Sequence, residues 1–266
     1  MINIMALVSW ISFTDDLRSG VKIRRGRSYI SGMQMTQIRI ASYNMRKARG
    51  LDQKRRPERT LQVISDLNAD LVVLQEADKR LGSRPSALPR KMIETETDFE
   101  LVNVSPNDVS IGWHGNAVLA RKGLDVMCVD RLDLPGFEPR GAVRVRLGLG
   151  AGLTIIGAHL GLRRGDRQAQ LSELSRFSSE DKHCIIAGDF NEWSKTKGFE
   201  PLKARFKTLS PGKSFHARRP IAALDRFALS HGLTLRDAGV DQSPLARVAS
   251  DHLPIWSDIS VPAATC

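Results

Sequence analysis

The stretch IIAGDFNEW, Ile185 to Trp193, decides how the rest of the chain is read. Cys184, Ile185, Ile186 and Ala187 form a short apolar run of the kind that a buried strand supplies. Gly188 ends the run, and Asp189 and Asn191 follow on either side of Phe190. If the backbone stays extended through GDFN, the acid and the amide point to one face and Phe190 to the other. A core strand that ends in an acid and an amide is a rigid mount for polar chemistry.

Working outward, other apolar strands end the same way. Asn44 lies just past the first strand, in IASYNMRK, Glu76 closes LVVLQE, and His159 closes LTIIGAH. Asp225 sits in AALDRFAL, and Asp251 and His252 come just before LPIWSDISV. Any one of these has an ordinary explanation. An acid at a strand end is usually a turn residue or a cap, which is the reading for Asp133, Asp166 and Asp258. A single histidine, such as His183 or His231, is an ordinary core or surface residue. The joint pattern is different, because a packed sheet gathers strand ends into one place. Hard oxygen donors without a thiolate cluster suit Mg²⁺ or Mn²⁺, and histidine beside carboxylate supplies proton transfer near neutral pH.

The 266 residues, 41% hydrophobic, suffice for one sizeable α/β core. Regular patterning runs from Ile38 to the chain end without repeats or linkers, so a catalytic domain at 37–266 is expected. Residues 1–36 read as a poorly ordered extension, with Met33 or Met35 as the start of translation. Helical spacing is expected in PERTLQVISDLN, near Ala87–Thr95 and in GDRQAQLSELSRF. Strands outnumber helices and often follow each other closely, which predicts mixed sheets covered by helices. No run approaches the roughly 18 apolar residues of a membrane span. Three scattered cysteines argue against a disulfide framework or a structural zinc site and point to a reducing, cytoplasmic setting ahead of a secretory or membrane-peripheral one. Forty Lys and Arg against 29 Asp and Glu give +11, a surface suited to polyanionic partners. No obligate protein partner is evident.

These segments resemble the endonuclease/exonuclease/phosphatase family, the deoxyribonuclease I-like metal-dependent phosphoesterases. The matching stretches are IASYN, LVVLQE, GNAVLAR, GAHLGLR, IIAGDFNEW, LDRFALS and SDHLPIWSDI, in family order over Ile38 to Ile259. GDFN with a downstream SDH is the specific part of the signal. The resemblance implies a four-layer α/β (α+β) sandwich, with two packed mixed sheets flanked by helices. It implies Glu76, Asn44 and Asp251 as ligands of Mg²⁺ (or Mn²⁺). Asp189 would orient or deprotonate the attacking water, and Asn191 would hold a phosphate oxygen. His252, oriented by Asp225, and His159 would face the phosphate. Outside the family core, Arg163, Arg164 and Arg167 follow His159, and His216, Arg218 and Arg219 precede Asp225. Together they are candidates for a phosphate clamp. Trp113 and His114 fall where rim residues are expected, and Trp193 is read as packing, with a substrate platform as the alternative.

The leading function is metal-dependent phosphodiester hydrolysis by an activated water, with nucleic acid as the leading substrate class on charge grounds. The alternative keeps the site and changes the substrate to a phospholipid headgroup, a sphingomyelin-like lipid or a small phosphate ester. A non-catalytic phosphate-binding module is disfavoured because every expected catalytic position holds a competent residue. Short loops and 6% aromatic residues argue against a dedicated abasic-site repair enzyme.

Overall fold

The computed structural model describes residues 27–30, 33–80 and 82–264. Its elements begin with the strands β1 (Arg27–Ile30) and β2 (Met33–Asn44), helix α1 (Pro57–Asp66), strand β3 (Leu71–Gln75) and helix α2 (Arg90–Glu96). Five strands follow: β4 (Phe99–Leu101), β5 (Ala117–Arg121), β6 (Val126–Leu134), β7 (Arg140–Leu147) and β8 (Leu153–His159). Next come α3 (Arg164–Phe177), β9 (Cys184–Asp189), β10 (Phe206–Leu209) and β11 (Asp225–Ser230). The chain finishes with β12 (Thr234–Val240), the short α4 (Ala246–Ala249) and β13 (Ile255–Pro262).

Among the described residues the strands form two sheets. One runs β12-β13-β2-β3-β5-β4 with β1 on β2, and the other runs β10-β11-β9-β8-β7-β6. Each contains one parallel pair, β2–β3 and β8–β9, while the remaining pairs are antiparallel. The central strands are buried on both faces, so their residues divide by period two between two cores. Ile185 and Ala187 of β9 meet Leu71 and Val73 of β3 between the sheets. Cys184 and Ile186 face the α3 side with Leu171 and Leu174. Val72 and Leu74 face the α1 side with Leu61 and Ile64. Helix, sheet, sheet and helix are thus the four expected layers.

Two glycines permit close approaches that set the site. A Cβ on Gly157 of β8 would lie 2.5 Å from Val73 Cγ1, so glycine lets the two sheets close together there. Gly188 has φ +153°, and a Cβ on it would lie 1.8 Å from the Ala158 carbonyl oxygen. Only glycine fits between β9 and β8 one residue before Asp189.

The junction expected between residues 36 and 37 falls inside β2. Met35 is buried and pairs with Pro262. Most of the expected N-terminal extension, residues 1–26, 31 and 32, lies outside the described residues.

Candidate active site

The parallel pairs deliver their C-terminal ends to one place. Asn44 pairs with Gln75, the residue before Glu76, and His159 pairs with Asp189 in the other sheet. Asp225, the first residue of β11, pairs antiparallel with Asp189. Asn44 Nδ2 then donates to Asp189 Oδ2 at 3.0 Å, joining the two sheets through a buried hydrogen bond.

Asp189 Oδ2 is the focus of the group. His159 Nε2 lies 3.4 Å from it and His252 Nε2 lies 3.7 Å from it. The other oxygen, Oδ1, accepts the Asn191 backbone N–H at 2.9 Å. His252 is fixed from behind, its Nδ1 2.8 Å from Asp225 Oδ2. The same Asp225 oxygen accepts the Ser214 hydroxyl at 2.5 Å. Ser250 Oγ donates to the Asn44 carbonyl at 2.7 Å and accepts the His252 N–H at 3.3 Å.

The two histidines are both buried yet are driven in opposite directions. For His252, burial opposes the charged ring, but Asp225 and Asp189 together outweigh it and raise its pKa to about 10. For His159, burial dominates the attraction of Asp189, and Arg140, His252 and Arg80 add repulsion, lowering its pKa to about 3. At neutral pH one imidazolium and one neutral imidazole therefore flank a single carboxylate oxygen. Such divergent environments are what separate acid from base roles.

Glu76 sits just past β3 with φ +53°, a left-handed backbone unusual for a residue with a side chain. Arg46, Lys47 and Ala48 are also left-handed, with φ +48°, +57° and +56°. This strained turn faces all three residues expected to hold metal. The Lys47 ammonium contacts Glu76 Oε2, and Arg46 Nε lies 3.3 Å from Asp251 Oδ2. The Arg46 backbone N–H donates to Asn44 Oδ1 at 3.2 Å. Strain of this kind persists only where surrounding structure holds it, and it collects at functional sites. Asn44, Glu76 and Asp251 thus offer hard oxygens that already face positive charge, a donor set that fits Mg²⁺ or Mn²⁺. Asp189, Asp225 and His252 also place ligand atoms within 4.8 Å of one another. His252 Nδ1 is engaged by Asp225 Oδ2, while its Nε2 faces Asp189 Oδ2.

The sequence profile of the endonuclease/exonuclease/phosphatase family matches residues 41–252. The chain belongs to that family. The "Uncharacterized protein YbhP" of Escherichia coli (strain K12) is 31% identical over 164 residues, 56% of this chain and 63% of that protein. The match therefore spans less than two thirds of that relative's length. A conserved protein of Enterococcus faecalis V583 superposes with a TM-score of 0.69 at 17% identity, covering 84% of this chain and 99% of that one. The D. rerio TDP2 structure complexed with a single-strand DNA product gives 0.65 at 16% identity, covering 84% and 98%. These structural likenesses establish the deoxyribonuclease I-like fold.

Within this family member, several expected site residues are placed differently from expectation. Asn191 is not extended: its φ is +52°, and its side-chain amide donates to the Leu160 carbonyl at 2.8 Å. It braces the β8 and β9 loops against each other, because the strand ends at Asp189 and the chain turns there. Arg167 is buried, donating to Glu192 at 2.8 Å and to the Leu162 carbonyl at 2.5 Å. A phosphate would have to displace Glu192, so Arg167 is a structural cation and not part of an open clamp. Arg163 stacks its guanidinium 4.4 Å from the Phe137 ring centroid, and Arg164 is exposed. His216, Arg218 and Arg219 lie on a loop packed on the His252 segment, where Phe215 bridges to His252 and Ala217 N–H donates to the Asp251 carbonyl. Both of those arginines are exposed. Trp193 is 61% exposed, edge-on to Phe215 at 6.3 Å, so the packing expectation for it is corrected.

Ser214, Lys47 and Arg140 were not singled out from the sequence. Ser214 carries no signal beyond its place in SFH, a few residues before Asp225. A cleft of about 220 Å³ opens beside Glu76 and His159, walled by Arg80, Arg84, His114 and Arg140.

Proposed function

We propose that this family member is a divalent-metal-dependent phosphodiesterase that uses an activated water. The observation that carries the reading is the single carboxylate oxygen of Asp189 flanked by His159 and His252, with Asp225 behind His252. Asp189 orients the attacking water and takes its proton. The His252 imidazolium stabilises charge developing on a phosphate oxygen, and Asp225 holds that ring in position and supports its charge. His159, neutral at pH 7, donates a hydrogen bond to the same phosphate. Asn44 keeps Asp189 in place across the sheets and, with Glu76 and Asp251, would hold a Mg²⁺ or Mn²⁺ ion. That ion supplies charge neutralisation at the phosphate. The catalytic unit is assigned to residues 37–266, with residues 33–36 continuing β2. The free thiols of Cys128 and Cys184 suit a reducing cytoplasmic setting, and no described helix is long and apolar enough to cross a membrane.

Nucleic acid is the leading substrate class, supported by the net charge of +11 and by the DNA product carried by the TDP2 neighbour. A specific observation favours a phospholipid headgroup as the second reading. Phe137, Leu162, Trp193 and Ile221 are 57–76% exposed, and they lie in loops at the catalytic end of the second sheet. Exposed apolar and basic side chains at one mouth also suit a lipid surface. A panel of plasmid DNA, single-stranded oligonucleotide and anionic phospholipid vesicles with Mg²⁺ separates the two. Nucleic acid is the expected preferred substrate. Cleavage confined to vesicles reverses the order, and cleavage of none refutes the phosphodiesterase reading.

A further inference from the structure

We propose that the cleft beside His159 is a second anion subsite, built by Arg84, His114 and Arg140, that takes a phosphomonoester carried by the substrate next to the scissile diester. This rests on the phosphodiesterase reading and goes beyond it, because none of these residues has a role in the chemistry described above. The cleft is continuous with the catalytic group: Glu76 and His159 form one wall, and Arg80 and Arg140 both act electrostatically on His159. Its volume of about 220 Å³ lies below the roughly 300 Å³ at which drug-sized pockets begin, so it suits a phosphate and part of a sugar.

The charges in the cleft do not cancel. Lys47 is engaged by Glu76, and Arg140 NH2 by Glu138 at 2.7 Å. Asp78 is occupied by the backbone N–H groups of Ile111 and Gly112 and by the Ser110 hydroxyl. Arg84 has a different kind of partner: its NH1 lies 3.1 Å from His114 Nδ1. His114 Nε2 lies 3.0 Å from Asp133 Oδ1, which places the ring proton on Nε2 and leaves Nδ1 as a neutral acceptor. A guanidinium oriented by a neutral acceptor is held in position without losing its charge to a carboxylate. Arg140 completes the wall. It is only 8% exposed, its Nε–H has no hydrogen-bond partner among the described residues, and the next residue, Gly141, lies against the His114 ring. A Cβ on Gly141 would approach His114 Cδ2 to 2.7 Å, so the close packing of the Gly141 backbone on His114 depends on glycine. Two arginines on one cleft, one of them oriented by an imidazole, offer guanidinium donors of the kind that recognise phosphate.

The ligand chemistry, a phosphomonoester dianion one linkage from a diester, occurs at a nucleic-acid end and in a phosphorylated lipid headgroup. The test compares kcat/KM for dithymidylate with and without a 5′-phosphate, and for glycerophosphoglycerol with and without a terminal phosphate. It uses the full chain, Arg84→Met and Arg140→Met. In parallel, inorganic phosphate is titrated calorimetrically into each protein in EDTA. The parent is expected to prefer the phosphorylated member of a pair by about tenfold or more, through KM. Arg84→Met is expected to bring that ratio close to one and to weaken phosphate binding by about tenfold. The pair that shows the preference identifies the source of the phosphate. Arg84 is half-buried and carries the test if Arg140→Met fails to fold. Diester cleavage without preference, together with phosphate binding indifferent to Arg84→Met, overturns the subsite and leaves the phosphodiesterase reading standing. Arg84-dependent phosphate binding in a protein that cleaves no diester does the reverse.

Discussion

Replacing Asp225 by Asn tests the electrostatics of the site quantitatively. His252 titrates near 10 in the folded protein against an ordinary value of 6.5. A raised histidine pKa contributes stability that is fully present below pH 6.5 and is lost as pH rises through 10. The difference of about 3.5 units, at 1.36 kcal/mol per unit, corresponds to about 5 kcal/mol. Asp225 is the largest attractive source, through its charge and its 2.8 Å contact, while Asp189 and Asp251 share the rest. About half the total, on the order of 2–3 kcal/mol, is therefore assigned to Asp225. An Asn oxygen can still accept the Ser214 hydroxyl, so local packing survives the change. Urea denaturation of the metal-free protein in EDTA reads the effect. Asp225→Asn is expected to cost about 2–3 kcal/mol at pH 6.5 and little at pH 10.5, where the ring is neutral in both proteins. An equal cost at the two pH values refutes the reasoning, because a packing defect does not titrate with His252.

Other substitutions test the remaining assignments. Asp189→Asn should abolish turnover at a cost of about 1–2 kcal/mol, its share of the attraction that raises the His252 pKa, since an amide keeps the size of the side chain and its acceptor for Asn191; an active, folded variant rules out its role. Glu76→Gln should remove the thermal stabilisation that Mg²⁺ gives the parent, and an unchanged Mg²⁺-induced Tm shift places the metal elsewhere. Arg167→Met should destabilise by about 3 kcal/mol, because Glu192 is left buried without its partner, while KM for a simple diester stays within about twofold. A large KM increase in a stable Arg167→Met protein would return that arginine to the substrate clamp.

The inner strands were legible because the core demands apolar residues on both faces. β3, β8 and β9 appear as apolar runs closed by Gln75 and Glu76, by His159 and by Asp189. Two of the edge strands, β12 and β10, were not. β12 carries TLRDAGV, exposed along its first half and bulged between Leu235 and Asp237. An edge strand has a neighbour on one side alone, and the charged residues and bulges tolerated there break the alternating pattern. β10 is only four residues long and gave no signal of its own. The site followed the same division. Residues at core-strand ends could be expected to converge, whereas the partners of Arg167 and Asn191 depend on loop geometry that no spacing encodes. Trp193 was misjudged because a lone tryptophan in sequence usually packs, while here it stands at the mouth beside Phe215.

The most direct test is the rate of bis-p-nitrophenyl phosphate hydrolysis by the full chain and by Asp189→Asn, each with Mg²⁺ and with EDTA. Hydrolysis by the parent with Mg²⁺, abolished by EDTA and by the substitution, is the expected result. Equal rates with Mg²⁺ and EDTA, or an Asp189→Asn protein as fast as the parent, would contradict metal-dependent hydrolysis centred on Asp189.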